Sequence, residues 1–219
     1  MTDTQIVEET ITFVKETLQG AEGGHDWFHI QRVFRNSLLI AKDEKVDILT
    51  VSLAALLHDI ADAKFHSGDE AIGPKLARQF LESLPLNKKI INHVVGIIEN
   101  MSFKNSLEKE QKNRFNTLEL QVVQDADRLD AIGAIGIARA FNYGGFKNRQ
   151  IHNPDIAPKL NMSKAEYKAS DAPTINHFYE KLLLLKDKMN TKTGKRLAEE
   201  RHQFMLNYLE QFYKEWNAN

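Results

Sequence analysis

Cysteine is missing altogether from the 219 residues. That excludes disulfides, thiolate zinc sites and cysteine nucleophiles, and it fits a reducing compartment. An excess of positive charge is missing too: 29 Lys and Arg stand against 30 Asp and Glu, a formal net charge of −1. Without a basic footprint, polymeric DNA or RNA is not an expected partner. A single nucleotide remains within reach, because a small anion needs only a few local cations. No apolar run approaches the roughly 20 residues that a membrane-spanning helix requires, so no membrane partner is expected. The first ten residues carry acidic groups and no apolar segment, which is not a signal-peptide pattern. The cytoplasm is the expected compartment. Proline is scarce as well, 5 in all, and three of the five (Pro154, Pro158 and Pro173) fall close together.

What is present is helical spacing. Hydrophobic residues make up 42% and charged residues 27%, the balance of an ordinary globular chain with one sizeable core or two small ones. Ile6, Ile11, Phe13, Val14 and Leu18 mark a first amphipathic helix that Gly20 stops. Phe28, Val33, Leu38, Leu39 and Ala41 mark a second, and Val46 to Ile60 a third, apolar on most sides and therefore central. A fourth shows Ala77, Phe80, Leu81 and Leu84, with Pro74 in its first turn and Pro85 beyond its end. Ile90, Val94, Val95, Ile97 and Ile98 suit a fifth helix, or a strand for which no pairing partner is nearby. Leu118 to Phe141 reads as one long helix or two abutting ones, with Gly133 and Gly136 allowing close packing or a bend. Residues 142–174 read as a long loop, a kind that often carries function. Two closing helices follow, about His177 to Asn190 and Gly194 to Trp216. The expectation is one all-α domain spanning 1–219.

Four residues stand out inside these stretches: His29, the adjacent His58-Asp59, and Asp127. An imidazole and a carboxylate closing an apolar helix are costly to bury without a partner. A cation is a good one, since neutral imidazole and ionised carboxylate are both metal ligands. Neighbouring helical residues point about 100° apart, but a His-Asp pair at a helix end escapes that constraint. Two imidazoles and two carboxylates make a hard-to-borderline donor set, suited to Mn²⁺, Mg²⁺, Fe²⁺ or Zn²⁺, with positions left for water and substrate. Each residue also has a plainer reading: His58 as a hydrogen-bonded core histidine, His29 as a surface one, Asp127 as a partner of Arg128.

The pattern His29…His58-Asp59…Asp127 resembles the H…HD…D signature of the HD-domain superfamily of metal-dependent phosphohydrolases. The resemblance extends to the surroundings: His25-Asp-Trp-Phe-His-Ile-Gln-Arg-Val33, Leu56-Leu-His-Asp-Ile-Ala-Asp62 and Asp125-Ala-Asp-Arg-Leu-Asp-Ala131. It covers about residues 20–145, with a long loop over about 142–174 and additional C-terminal helices over about 175–217. The segment from Ile175 through His202 is similar to a small bacterial branch, the YpgQ-like proteins, regarded as Mn²⁺-using nucleoside triphosphate pyrophosphohydrolases. The resemblance implies a helical HD-domain bundle with His29, His58, Asp59 and Asp127 around one divalent cation, Mn²⁺ favoured. Asp127 is assigned rather than Asp125 because Asp127-Arg-Leu-Asp130 lines up with the superfamily's carboxylate. Asn100 stands near where a second-metal histidine would be wanted and His93 lies two turns earlier, so one metal is expected.

Hydrolysis needs a nucleophile, neutralised phosphoryl charge and an assisted leaving group. Asp59, or one of Asp62, Glu70 and Asp130, could accept a proton from the attacking water; Asp62 serves equally as a cap or a surface acid. Lys64 and His66 sit at the mouth of the expected site, where Lys64 could bind phosphate as a point charge or remain in solvent. Arg32 could orient phosphate or buttress a carboxylate, and Trp27 suits packing better than base stacking. Tyr143, Lys147 and Arg149, in a segment of glycines, aromatics and cations, would suit a nucleotide-holding lid. Of the closing helices, Arg201 and His202 are the residues to watch. Cleavage of a (deoxy)nucleoside triphosphate to monophosphate and pyrophosphate is the expected reaction. A nucleotide monophosphatase, a cyclic-nucleotide phosphodiesterase and a non-catalytic nucleotide sensor are the alternatives. An exposed apolar helix face could support a homodimer.

Overall fold

The computed structural model describes residues 1–20, 26–61, 71–101, 115–163, 166 and 169–219. Among the described residues there is helix and no strand, so the all-α expectation holds. None of the described helices is long and apolar enough to cross a membrane. The chain divides into two compact units, Met1–Asp127 and Arg128–Asn219.

The first unit holds α1 (Asp3–Thr17), α2 (Trp27–Ala41), α3 (Ile48–Leu57), α4 (Ile72–Glu82), α5 (Lys88–Glu99) and most of α6 (Leu118–Asp130). Polar caps set their starts. Thr2 and Gln5 close a reciprocal capping box on α1. Asp47 accepts from the Thr50 N–H at 2.7 Å, and Asn87 accepts from that of Ile90 at 3.0 Å. Gly20, at φ +82°, follows α1 where a left-handed residue is needed. Helix α3 is shorter than the expected 46–60 because Asp47 starts it and the chain leaves helix at His58. Every residue from Leu49 to Leu57 is buried, and α3 packs against α1, α2 and α5. Helix α5 settles its own ambiguity: Ile91, Val94, Val95, Ile97 and Ile98 form a helical buried face against α3 and α4. Phe13 of α1 stacks on Phe80 of α4, ring centroids 4.0 Å apart.

The second unit holds the end of α6, then α7 (Gly133–Phe146), α8 (Thr174–Glu180), two single 3₁₀ turns and α9 (Lys192–Trp216). The stretch from Leu118 is thus two helices. Gly133 takes φ +74° at the break, and a Cβ on Gly136 would lie 2.2 Å from the Ala131 carbonyl oxygen. The expected loop from 142 needs correction, since α7 continues through Phe146. Gly144 is not a breaker there: a Cβ would meet Thr174 Oγ1 at 2.2 Å, so glycine permits a close approach. The expected helix from His177 to Asn190 is also corrected. It stops at Glu180, where Lys181 leaves helical geometry at φ −144° and ψ −57°. The 3₁₀ turns that follow keep Leu182 inside at 4% exposure and Leu184 outside at 47%. Phe178, Ile175, Met205, Leu129 and Ile132 are fully buried in this unit.

Candidate metal centre

The candidate ligands lie in the first unit, at helix ends fixed by local bonds. Asp26 caps α2 by accepting from the His29 N–H at 2.9 Å, which sets His29 in the first turn with its side chain 3% exposed. His58 is the first residue beyond α3, its side chain 5% exposed. Its Nδ1 lies 2.9 Å from the Ala55 carbonyl oxygen. A carbonyl only accepts, so Nδ1 carries the proton and, in the neutral ring a metal requires, the lone pair is on Nε2. This backbone bond holds the ring in the tautomer a metal ligand needs.

The two imidazoles meet edge to face with centroids 5.4 Å apart. His29, His58 and Asp59 each offer a ligand atom, all within 4.8 Å of one another. Asp127 Oδ1 lies 3.6 Å from His29 Nε2 and 3.8 Å from His58 Nε2. Those separations are too long for hydrogen bonds. They approach the roughly 3.0–3.5 Å expected between donors that share an ion at about 2.0–2.2 Å from each. The donor chemistry and the spacing therefore both fit a divalent cation. Asp127 is 42% exposed at its side chain, leaving an approach from solvent. Asp125, two residues earlier, is fully buried.

The other expected residues divide by position. Asp62, Lys64, His66 and Glu70 lie outside the described residues. Arg32 is half-buried, one turn beyond His29. Trp27 packs under Lys15, whose Nζ lies 4.9 Å from the ring centroid. Asn100 donates to the Gly96 carbonyl at 2.8 Å. His93 faces Thr117 Oγ1 at 3.1 Å and Glu119 at 3.5 Å. An open groove of about 470 Å³ lined by Ala71, Pro74, Lys75, Arg78, Val95 and Glu99 contains none of the four candidate ligands. In the second unit, Arg149 donates to the Ser170 carbonyl and lies 5.6 Å over Tyr143. Lys147 there sits 5.1 Å over Phe146. Asp130 is 1% exposed and paired with Arg139 at 2.6 Å, a partner that sequence reasoning missed. The Ala55 carbonyl was also missed, because a main-chain acceptor leaves no signal in residue type.

The HD-domain family model matches residues 27–132. Over 217 residues the chain is 37% identical to YpgQ of Bacillus subtilis strain 168, covering 98% of this chain and 96% of that protein. The chain belongs to the HD-domain family. It is accordingly a metal-dependent phosphohydrolase. The crystal structure of an HD-superfamily hydrolase from Bacillus thuringiensis superposes over the whole of both chains with a TM-score of 0.79 at 43% identity. That of B. subtilis YpgQ in complex with ADP gives a TM-score of 0.77 at 36% identity, covering 98% of this chain and 97% of that one.

Proposed function

We propose that this HD-domain protein hydrolyses (deoxy)nucleoside triphosphates to the monophosphate and pyrophosphate. In this reading one divalent cation, Mn²⁺ favoured, is held by His29, His58, Asp59 and Asp127. The observation that carries it is the approach of Asp127 Oδ1 to both imidazole Nε2 atoms, 3.6 and 3.8 Å, beside Asp59. ADP bound to YpgQ, a relative alike over its full length, supports a nucleotide as the ligand. A single HD domain over 1–219 belongs to the same proposal, and the HD-domain family model covers residues 27–132 of it.

When bound, the cation neutralises phosphoryl charge and lowers the pKa of a water. His58 contributes a lone pair whose direction the Ala55 carbonyl fixes. Asp59 accepts the proton of the attacking water, with Asp62 and Glu70 as further acceptors. The water oxygen bonds to the α-phosphorus, the bond from that phosphorus to the bridging oxygen breaks, and pyrophosphate leaves with that oxygen. Arg32, Lys64 and His66 bind phosphate. Tyr143, Lys147 and Arg149 retain a substrate role on composition, cations beside aromatic rings being what phosphates and a base require. A cytosolic setting and a homodimer belong to the same proposal.

The test is product release from a nucleotide panel by metal-stripped protein, with and without added Mn²⁺. Pyrophosphate that appears only with metal and vanishes in His58→Ala is the expected result. Orthophosphate as the sole product would replace it with the monophosphatase reading, and tight nucleotide binding without turnover with the sensor.

A further inference from the structure

The geometry points to Arg201 as a positioning residue: with Arg139 it fixes the last turn of α6, and through that turn the carboxylate of Asp127. The inference rests on Asp127 being a metal ligand, as proposed above.

A helix ends with carbonyls that have no partner in the helix, and α6 ends at Asp130, three residues beyond Asp127. Arginines supply the missing donors. Arg201, from α9, donates Nη1–H to the Leu129 carbonyl. Arg139, from α7, donates to the Asp130 carbonyl at 3.3 Å and to Asp130 Oδ2 at 2.6 Å. Arg128 reaches from the same turn to the Lys188 carbonyl at 2.7 Å. The Asp130 side chain is 1% exposed, so its charge is committed to this cluster. Burial lowers the Arg201 pKa and the Asp130 charge opposes that, as expected of a guanidinium drawn inward to a carboxylate.

Gly133 provides an independent observation. Its φ of +74° disfavours a side chain, and the Arg201 side chain runs across the vacant place, Cγ 3.0 Å from where a Cβ would stand. The break after α6 is thus built to admit Arg201. Successive helical residues turn by about 100°, so any unwinding of the last turn swings Asp127 away from His29 and His58. Groups that hydrogen-bond a metal ligand directly typically change metal affinity by about 10- to 100-fold, and Arg201, bonded to the main chain two residues from Asp127, is expected at the lower end of that range.

The experiment measures Mn²⁺ affinity by calorimetric titration and melting temperature on the full chain. It compares Arg201→Met, Arg201→Lys, Met205→Ala and Asp127→Asn. Met205, fully buried on the same helix, reports destabilisation alone. We expect Arg201→Met to bind Mn²⁺ about 10-fold more weakly. Arg201→Lys should lie in between, because an ammonium keeps the charge without the planar fork. Met205→Ala should melt earlier with unchanged affinity. If Asp127→Asn loses Mn²⁺ and both Arg201 variants bind it like wild type, the positioning role is overturned and the metal reading stands. Equal losses in Met205→Ala and Arg201→Met would likewise overturn it, as a mere stability effect. Wild-type affinity in Asp127→Asn would overturn the metal reading and the positioning role together.

Discussion

His177 makes the stability of this protein sensitive to mild acid. It sits in α8, and its pKa is pushed down from 6.5 to about 4. Burial is the main cause, followed by the positive charges of Lys181 and Arg149. The folded chain therefore prefers the neutral imidazole, while the unfolded chain protonates near the ordinary value. Between those two values the unfolded state binds more protons, so stability falls as the pH falls. The contribution is fully present above pH 6.5 and is lost as the pH drops towards the folded value of about 4. At about 1.4 kcal/mol per pH unit, the whole window is worth about 3 kcal/mol. His177→Gln removes the titration and keeps a polar side chain. Urea unfolding of both proteins from pH 7.5 to 4.5 isolates the effect, because other titrating groups cancel in the difference. The wild type should lose about 2.5 kcal/mol relative to the variant over that range. A difference that stays constant with pH would refute the reasoning and show that His177 is as easily protonated folded as unfolded.

Three other outcomes are expected. Gly144→Ala would drive a Cβ to 2.2 Å from Thr174 Oγ1 and should cost about 1–3 kcal/mol in chemical denaturation, as overpacking does. Thr191→Ala removes the buried Oγ1 that accepts from the Gly194 N–H at 2.9 Å; about 1–2 kcal/mol of stability should go with it. Chelation of divalent metal should abolish phosphohydrolysis, and re-addition of Mn²⁺ should restore it, with Asp59→Ala inactive under both conditions.

The helices were legible in the sequence wherever one face is apolar at helical spacing. The β-branched run of α5 was ambiguous by residue type, and packing against α3 and α4 decided it. Residues 142–174 read as loop, yet Gly144 lies inside α7. Only the position of Thr174, 30 residues on, shows that it serves close approach. The leucine run after Glu180 also reads as helix, yet Lys181 turns the chain out of it. At the candidate centre, residue types named the histidines and carboxylates, and the family resemblance chose Asp127 over Asp125. The supports were not legible. A main-chain acceptor at Ala55 has no residue signature, and Arg201 meets Leu129 across 72 residues of sequence.

Helix α3 is buried from Leu49 to Leu57 and ends at His58-Asp59. Such a helix exchanges its amide protons only when the core opens, so its end behaves as a fixed post. For the proposed centre this separates release of the ion from motion of its anchor. An ion held there would have its way out at the half-exposed Asp127 edge, without any opening of α3. The anchor itself persists through every cycle of loss and reloading, so metal-stripped protein should regain its ion without refolding.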